Sequence, residues 1–247
     1  IAERLAAEGA DVAIVARTLD RHDHLAGSLT ETAARLAGYG TRIEVIRADL
    51  TDERSRARIV PQAVEALGGP LNILVNNAAA AIYQPLVDFP LRRRRVTFEV
   101  NVHAPLDLMQ AVIPGMREAG QGWIVNVSSA TARLRPGPPF QLVPPGTAMA
   151  VYGASNAALN RLTNAMAAEL YGTGVRVNTI EPRFGVLTEG ARALVGATVR
   201  PGQMESLEEM VEATVALCDC APDLTGQVVL SLDLIAAQGL TVRGLDN

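Results

Sequence analysis

The sequence predicts an α/β fold built on a doubly wound parallel sheet, and three observations carry that expectation. Short apolar blocks rich in β-branched residues recur along the 247 residues. Segments with helical spacing separate these blocks, and strand alternating with helix implies parallel pairing through crossover connections. The 49% hydrophobic content is enough for the core that such a domain buries. A single domain over residues 1–247 is expected, because no internal repeat or low-complexity tether divides the chain.

Taken in order, Ile1-Ala2-Glu3-Arg4-Leu5-Ala6-Ala7-Glu8-Gly9 reads as a helix already under way, with glycine as its stop. Residues 11–17 follow as a strand whose mostly apolar run suits burial on both faces. Further strands are expected over 41–48, 71–76, 123–128, 175–180 and 227–232, and helices over 52–67, 91–116, 152–171 and 206–218. Residues 133–146 hold five prolines and two glycines, which predicts an irregular loop.

Charge and cysteine usage exclude several function classes. A net charge of −4 leaves no polycationic face for nucleic acid or an anionic membrane. The basic run Arg92 to Arg95 reads as a solvated or interface-facing first helical turn. Cys218 and Cys220 lack a His or a second Cys cluster, so they predict reduced thiols in a reducing, cytoplasmic compartment and no metal site. No uncharged apolar stretch of roughly 18 residues is present to span a bilayer.

Right-handed crossovers place the C-terminal ends of parallel strands along one edge, where such folds bind their ligands. The strand tails here are Arg17, Asp49, Asn76-Asn77, Ser128-Ser129 and Glu181-Pro182. A polar set closing otherwise apolar runs is hard to explain by packing alone. On the helix that follows the Pro-rich loop, Tyr152 and Asn156 are four residues apart and so share a face.

These motifs, in this order, resemble the short-chain dehydrogenase/reductase family over nearly the whole chain, which implies a Rossmann-type sheet. Tyr152-Gly153-Ala154-Ser155-Asn156 is similar to the family's Tyr-x-x-x-Lys signature, with Asn156 in the lysine's place. Asn76-Asn77-Ala78-Ala79 resembles Asn-Asn-Ala-Gly, which steadies the sheet and borders the cofactor's adenosine side. Asp49, followed by Leu50, matches the aspartate beside the adenine, although it also suits the start of the next helix. Asn101 matches the helix asparagine of a proton relay, and Ser129 the serine that hydrogen-bonds the reacting oxygen. Glu181-Pro182-Arg183 resembles the loop flanking the nicotinamide, with Arg183 where the family has glycine, and Leu234-Ile235 replaces a glycine pair after Asp233.

The resemblance implies hydride exchange between a nicotinamide cofactor and a small-molecule carbonyl or secondary alcohol. Tyr152 would be the acid/base, with Ser129, Asn101 and Asn156 around it. Arg17, Asp49, Leu50, Asn76, Ala78 and Pro182 would border the cofactor. Arg17 follows Ala16, where relatives that prefer NAD carry an acid; a guanidinium there suits a 2′-phosphate and favours NADP over NAD. A tyrosine without its lysine lacks the charge that lowers a phenol toward neutral pH, so slow turnover is expected, with a binding-only relative as the alternative. The family's Thr-Gly-x-x-x-Gly-x-Gly loop and first strand would lie ahead of Ile1, in about 15 to 25 further residues. A homodimer or homotetramer through the helices over 91–116 and 152–171 is implied in the same way. The 23 residues from Ser129 to Tyr152 exceed the family's spacing, which makes the Pro-rich segment an insertion at the pocket mouth.

Overall fold

Parallel strands account for most of the regular pairing in the computed structural model, which describes residues 1–21, 27–140, 148–186, 188 and 204–244. In chain order the principal elements begin α1 (Ala2–Ala7), β1 (Val12–Ala16), α2 (Leu29–Leu36), β2 (Ile43–Arg47), α3 (Glu53–Leu67), β3 (Ile73–Asn76) and α4 (Leu91–Phe98). They continue with α5 (Ala104–Glu118), β4 (Gly122–Val127), α6 (Ala150–Glu169), β5 (Val175–Glu181), β6 (Gly185–Val186) and β7 (Met204–Glu205). The last three are α7 (Leu207–Leu217), β8 (Val228–Leu230) and α8 (Ser231–Gln238).

Local chemistry sets the helix ends. The Asp52 side chain accepts from the Arg54 N–H at the start of α3, and Gly68 closes that helix in the left-handed region. Ser206 and Glu209 form a reciprocal capping box ahead of α7. The helix expected over 91–116 is interrupted by a π-helical turn at Glu99–His103, and that turn carries Asn101. The strand expected over 227–232 shortens to Val228–Leu230, because Ser231 already begins α8. Neither α8 nor α2 has an apolar repeat long enough to stand out in the sequence.

Strands β3, β4, β5 and β8 form one sheet, all parallel, and β1 with β2 a second parallel pair. Register aligns the tails: Asn76 lies opposite Asn126, Asn126 opposite Thr179, and Glu181 opposite Leu230. Alternation along β4 divides the core into two layers. Ile124 packs with Met109, Val112 and Met116 of α5 on one face, whereas Trp123 and Val125 pack with Met210, Ala213 and Leu217 of α7 on the other. This is the doubly wound arrangement expected from the sequence.

β1 and β3 do not pair with each other among the described residues. Between them runs a cleft of about 630 Å³, walled by Val12–Val15 on one side and by residues 71–78 on the other, with Ile1 and Leu5 also lining it. The facing edges of β1 and β3, unpaired with each other among the described residues, line this cleft.

Candidate active site

The site is assembled where α6 meets the tail of β4. Gly153 makes that approach: a Cβ there would lie 2.5 Å from the carbonyl oxygen of Thr131, so only glycine allows the helix to pack this close. Ser129 caps the short 3₁₀ turn at Ala130–Ala132, accepting from the Thr131 N–H at 3.2 Å and the Thr131 hydroxyl at 3.0 Å. The packing brings Ser129 beside Tyr152, close enough to draw the phenol's pKa down, while the Ser129 hydroxyl itself stays bonded to Thr131.

Burial pushes the Tyr152 phenol above its ordinary pKa, and Ser129 and Asn156 pull it back only in part. Asn156 is 3% exposed and its amide donates to the Tyr152 carbonyl at 2.9 Å. It is therefore partly committed to its own helix. All 22 Lys and Arg residues of the chain are arginines, so no lysine stands anywhere in these 247 residues. That absence is legible in the sequence by inspection.

Asn101 ties three pieces together. Its side-chain oxygen accepts from the Ala80 N–H at 2.7 Å, and its amide donates to the Ser155 hydroxyl at 2.9 Å; Ser155 in turn donates to the Tyr152 carbonyl at 2.7 Å. The π turn that displaces Asn101 from helical register thus links the loop after β3 to the helix carrying Tyr152.

Asn76 turns away from solvent. Its amide donates to Asn126 at 2.8 Å, Asn126 donates to Thr163 at 2.8 Å, and the Thr179 and Thr163 hydroxyls are 2.9 Å apart. This buried chain spans β3, β4, β5 and α6 beneath the site. Asn77 and Ala78, by contrast, are exposed at the strand tail and border the cleft.

At the far corner, Asp49 accepts from the Thr51 N–H at 2.9 Å and the Thr51 hydroxyl at 2.8 Å. Burial opposes its ionisation, but these Thr51 bonds and then the Arg17 charge hold the carboxyl below its usual range. Arg17 is exposed, and the Arg47 guanidinium donates to its carbonyl at 3.2 Å. Arg47 therefore adds a second cation to this corner; register pairing with Ala16, invisible in the sequence, puts it there. Leu50 is half-buried, and its carbonyl accepts from Arg56 at 2.8 Å.

On the opposite side, Arg133 clamps the tail of β5, donating to the carbonyls of Pro182 at 3.2 Å and Arg183 at 3.0 Å. Its guanidinium also lies 3.5 Å from Glu181, which is 1% exposed. Arg183 pairs with Asp233 of α8, and its N–H donates to Ser231 at 3.3 Å. Arg183 is thus held by an ion pair and a backbone hydrogen bond to α8. The part of the Pro-rich loop at residues 141–147 lies outside the described residues.

The exposed backbone at Asn77 and Ala78, the Arg17 and Asp49 corner and the Pro182 loop suit the two ends of a dinucleotide. No group of His, Cys, Asp or Glu that could hold a metal occurs among the described residues.

A model of the short chain dehydrogenase family matches residues 1–195, and the chain belongs to that family. It is 29% identical over 246 residues to hydroxysteroid dehydrogenase-like protein 2 of Danio rerio, covering 97% of this chain and 55% of that protein. The chain spans about half the length of the curated relatives it matches first. A short chain dehydrogenase structure from Mycobacterium thermoresistibile superposes with a TM-score of 0.81 at 27% identity, covering 97% of this chain and 82% of that one. A protein described as an NAD(P)-dependent gluconate 5-dehydrogenase from Beutenbergia cavernae, with NADP bound at low occupancy, gives 0.76 at 29% identity over 94% of this chain and 88% of its own.

Proposed function

We propose that the protein is an NADP(H)-dependent oxidoreductase acting on a small-molecule carbonyl or secondary alcohol. The observation that carries this reading is the juxtaposition of Ser129 and Tyr152 at the strand edge, with Asn101 tied to the same helix. When bound, the nicotinamide supplies or accepts the hydride. Tyr152 gives or takes the proton at the reacting oxygen, Ser129 orients that oxygen, and Asn101 joins the relay. The Arg17 and Arg47 corner supports NADP over NAD, and Asp49, Leu50, Asn76, Ala78 and Pro182 frame the remaining cofactor surface.

The reading extends to features around the site. Residues 1–247 act as one dinucleotide-binding unit, and the cleft between β1 and β3 fits an extended strand parallel to both, leading into a glycine-rich turn. Free, buried Cys218 and Cys220 suit a cytoplasmic setting. Among the described residues no helix is long and apolar enough to cross a membrane. Exposed Leu86, Val87 and Leu91 beside α4 suit a homodimer or homotetramer interface.

Titration with NADPH and NADH, of this chain and of a form extended by a strand and glycine-rich turn, followed by a carbonyl panel, tests the proposal. Tighter NADPH binding with measurable reduction is expected. Absence of binding in both forms, or binding with no turnover on any carbonyl even after Asn156→Lys, would overturn it.

A further inference from the structure

A second phenol stands beside Tyr152. The rings of Tyr83 and Tyr152 meet edge to face, with centroids 5.8 Å apart and planes inclined by 62°. That geometry is the preferred one for aromatic pairs. Tyr83 is half-buried, and its hydroxyl makes no hydrogen bond among the described residues, so the contact is made by the ring alone.

The loop bearing Tyr83 is held at both ends. Upstream, Ala80 is fixed by Asn101 through two bonds, at 2.7 Å and 3.4 Å. Downstream, the Gln84 N–H donates to the Ala148 carbonyl at 3.0 Å, its side-chain amide donates to the Asp88 carbonyl at 2.6 Å, and Arg93 donates to its side-chain oxygen at 2.8 Å. A side chain between two such anchors is presented in one place. The Asn101 anchor also reaches the Tyr152 helix through Ser155, so the two tyrosines are set relative to each other by one continuous network.

We propose that Tyr83 is a positioning residue for Tyr152: its ring fixes the orientation of the Tyr152 ring and shields one side of the phenol from water, forming the apolar wall next to the reacting carbonyl. A wall of this kind suits ketone substrates whose substituent beside the carbonyl is apolar. This rests on the oxidoreductase reading only for its catalytic meaning, because shielding alters Tyr152 whether or not the protein turns over. Burial raises the Tyr83 phenol itself to about 12, with Tyr152 adding to the shift.

Phenolate absorbance titration of the native chain, Tyr83→Phe and Tyr83→Ala, each measured against its own Tyr152→Phe background, isolates the Tyr152 midpoint without any substrate. Tyr83→Phe keeps the ring and should leave that midpoint in place. Tyr83→Ala admits water and should lower it, since burial is the largest cause of its elevation. Tyr83→Leu replaces the test by alanine where that variant fails to fold, and should give a smaller drop in the same direction. An unmoved midpoint in the truncated variant, or an equal shift in Tyr83→Phe, would overturn the proposal. Failure of the oxidoreductase reading would show separately, as absent NADPH turnover with the midpoints ordered as stated.

Discussion

Placing an ammonium beside Tyr152 is the most direct way to perturb its chemistry, and Asn156→Lys does so at a buried position one helical turn away. Side chains four residues apart on a helix have Cβ atoms about 5–6 Å apart, within the range where an opposite charge lowers an acid's pKa by about 1–3. At neutral pH that raises the phenolate fraction roughly 10- to 1000-fold, equivalent to about 1.4 kcal/mol per tenfold step. Burial opposes the new ammonium, which starts from a pKa of about 10.4 beside a phenol that is neutral at pH 7, so the Tyr152 midpoint is compared over the pH range in which the lysine is charged. The chain contains no other lysine, which makes the new ammonium the single lysine signal in a side-chain NMR titration. Phenolate absorbance, corrected with Tyr152→Phe, should show the Tyr152 midpoint falling from above its ordinary value. A midpoint that stays or rises while the lysine is charged would refute the electrostatic reasoning.

Gly153→Ala drives a methyl against the Thr131 carbonyl and should lower stability by about 1–3 kcal/mol in urea unfolding, while weakening the approach of Ser129 to Tyr152. Asn126→Ala strips partners from Asn76 and Thr163 in the buried chain, so a loss of about 1–3 kcal/mol per orphaned group is expected in the same assay. Glu181 has a raised pKa because burial outweighs its hydrogen bond from Asn160, the Arg133 charge and the nearby Ser128. An acid raised in this way contributes stability below its unfolded pKa and loses it as pH rises through the folded value. Glu181→Gln should therefore gain stability relative to the native chain as pH rises from the ordinary carboxylate range through the raised folded value; a pH-independent difference would contradict this.

Much of the fold was legible because β-branched runs such as that of β5 are buried along their length and stand apart from the helical spacing around them. The candidate site residues were singled out for a related reason: Arg17, Asn77, Ser129 and Pro182 punctuate apolar strands, and polarity at a strand tail points to the edge where such sheets bind ligands. What remained hidden depends on contacts distant in sequence. The π turn at Asn101 has no local signature, the pairing of Arg183 with Asp233 joins residues fifty apart, and Arg47 reaches the Arg17 corner only through strand register. Tyr83 was missed because an isolated aromatic in a loop reads the same whether it faces solvent or another ring. The helix at Ser231–Gln238 was missed because the apolar run of β8 continues into it through Leu232 and Leu234 without a Gly or Pro break.

The central claim, that Tyr152 performs proton transfer for an NADP(H)-linked reaction, is tested most directly by comparing NADPH binding and carbonyl reduction in the native chain and in Tyr152→Phe. The account predicts equal NADPH affinity in both, slow reduction by the native chain and loss of that reduction in the variant. Equal reduction rates in the two proteins would contradict it.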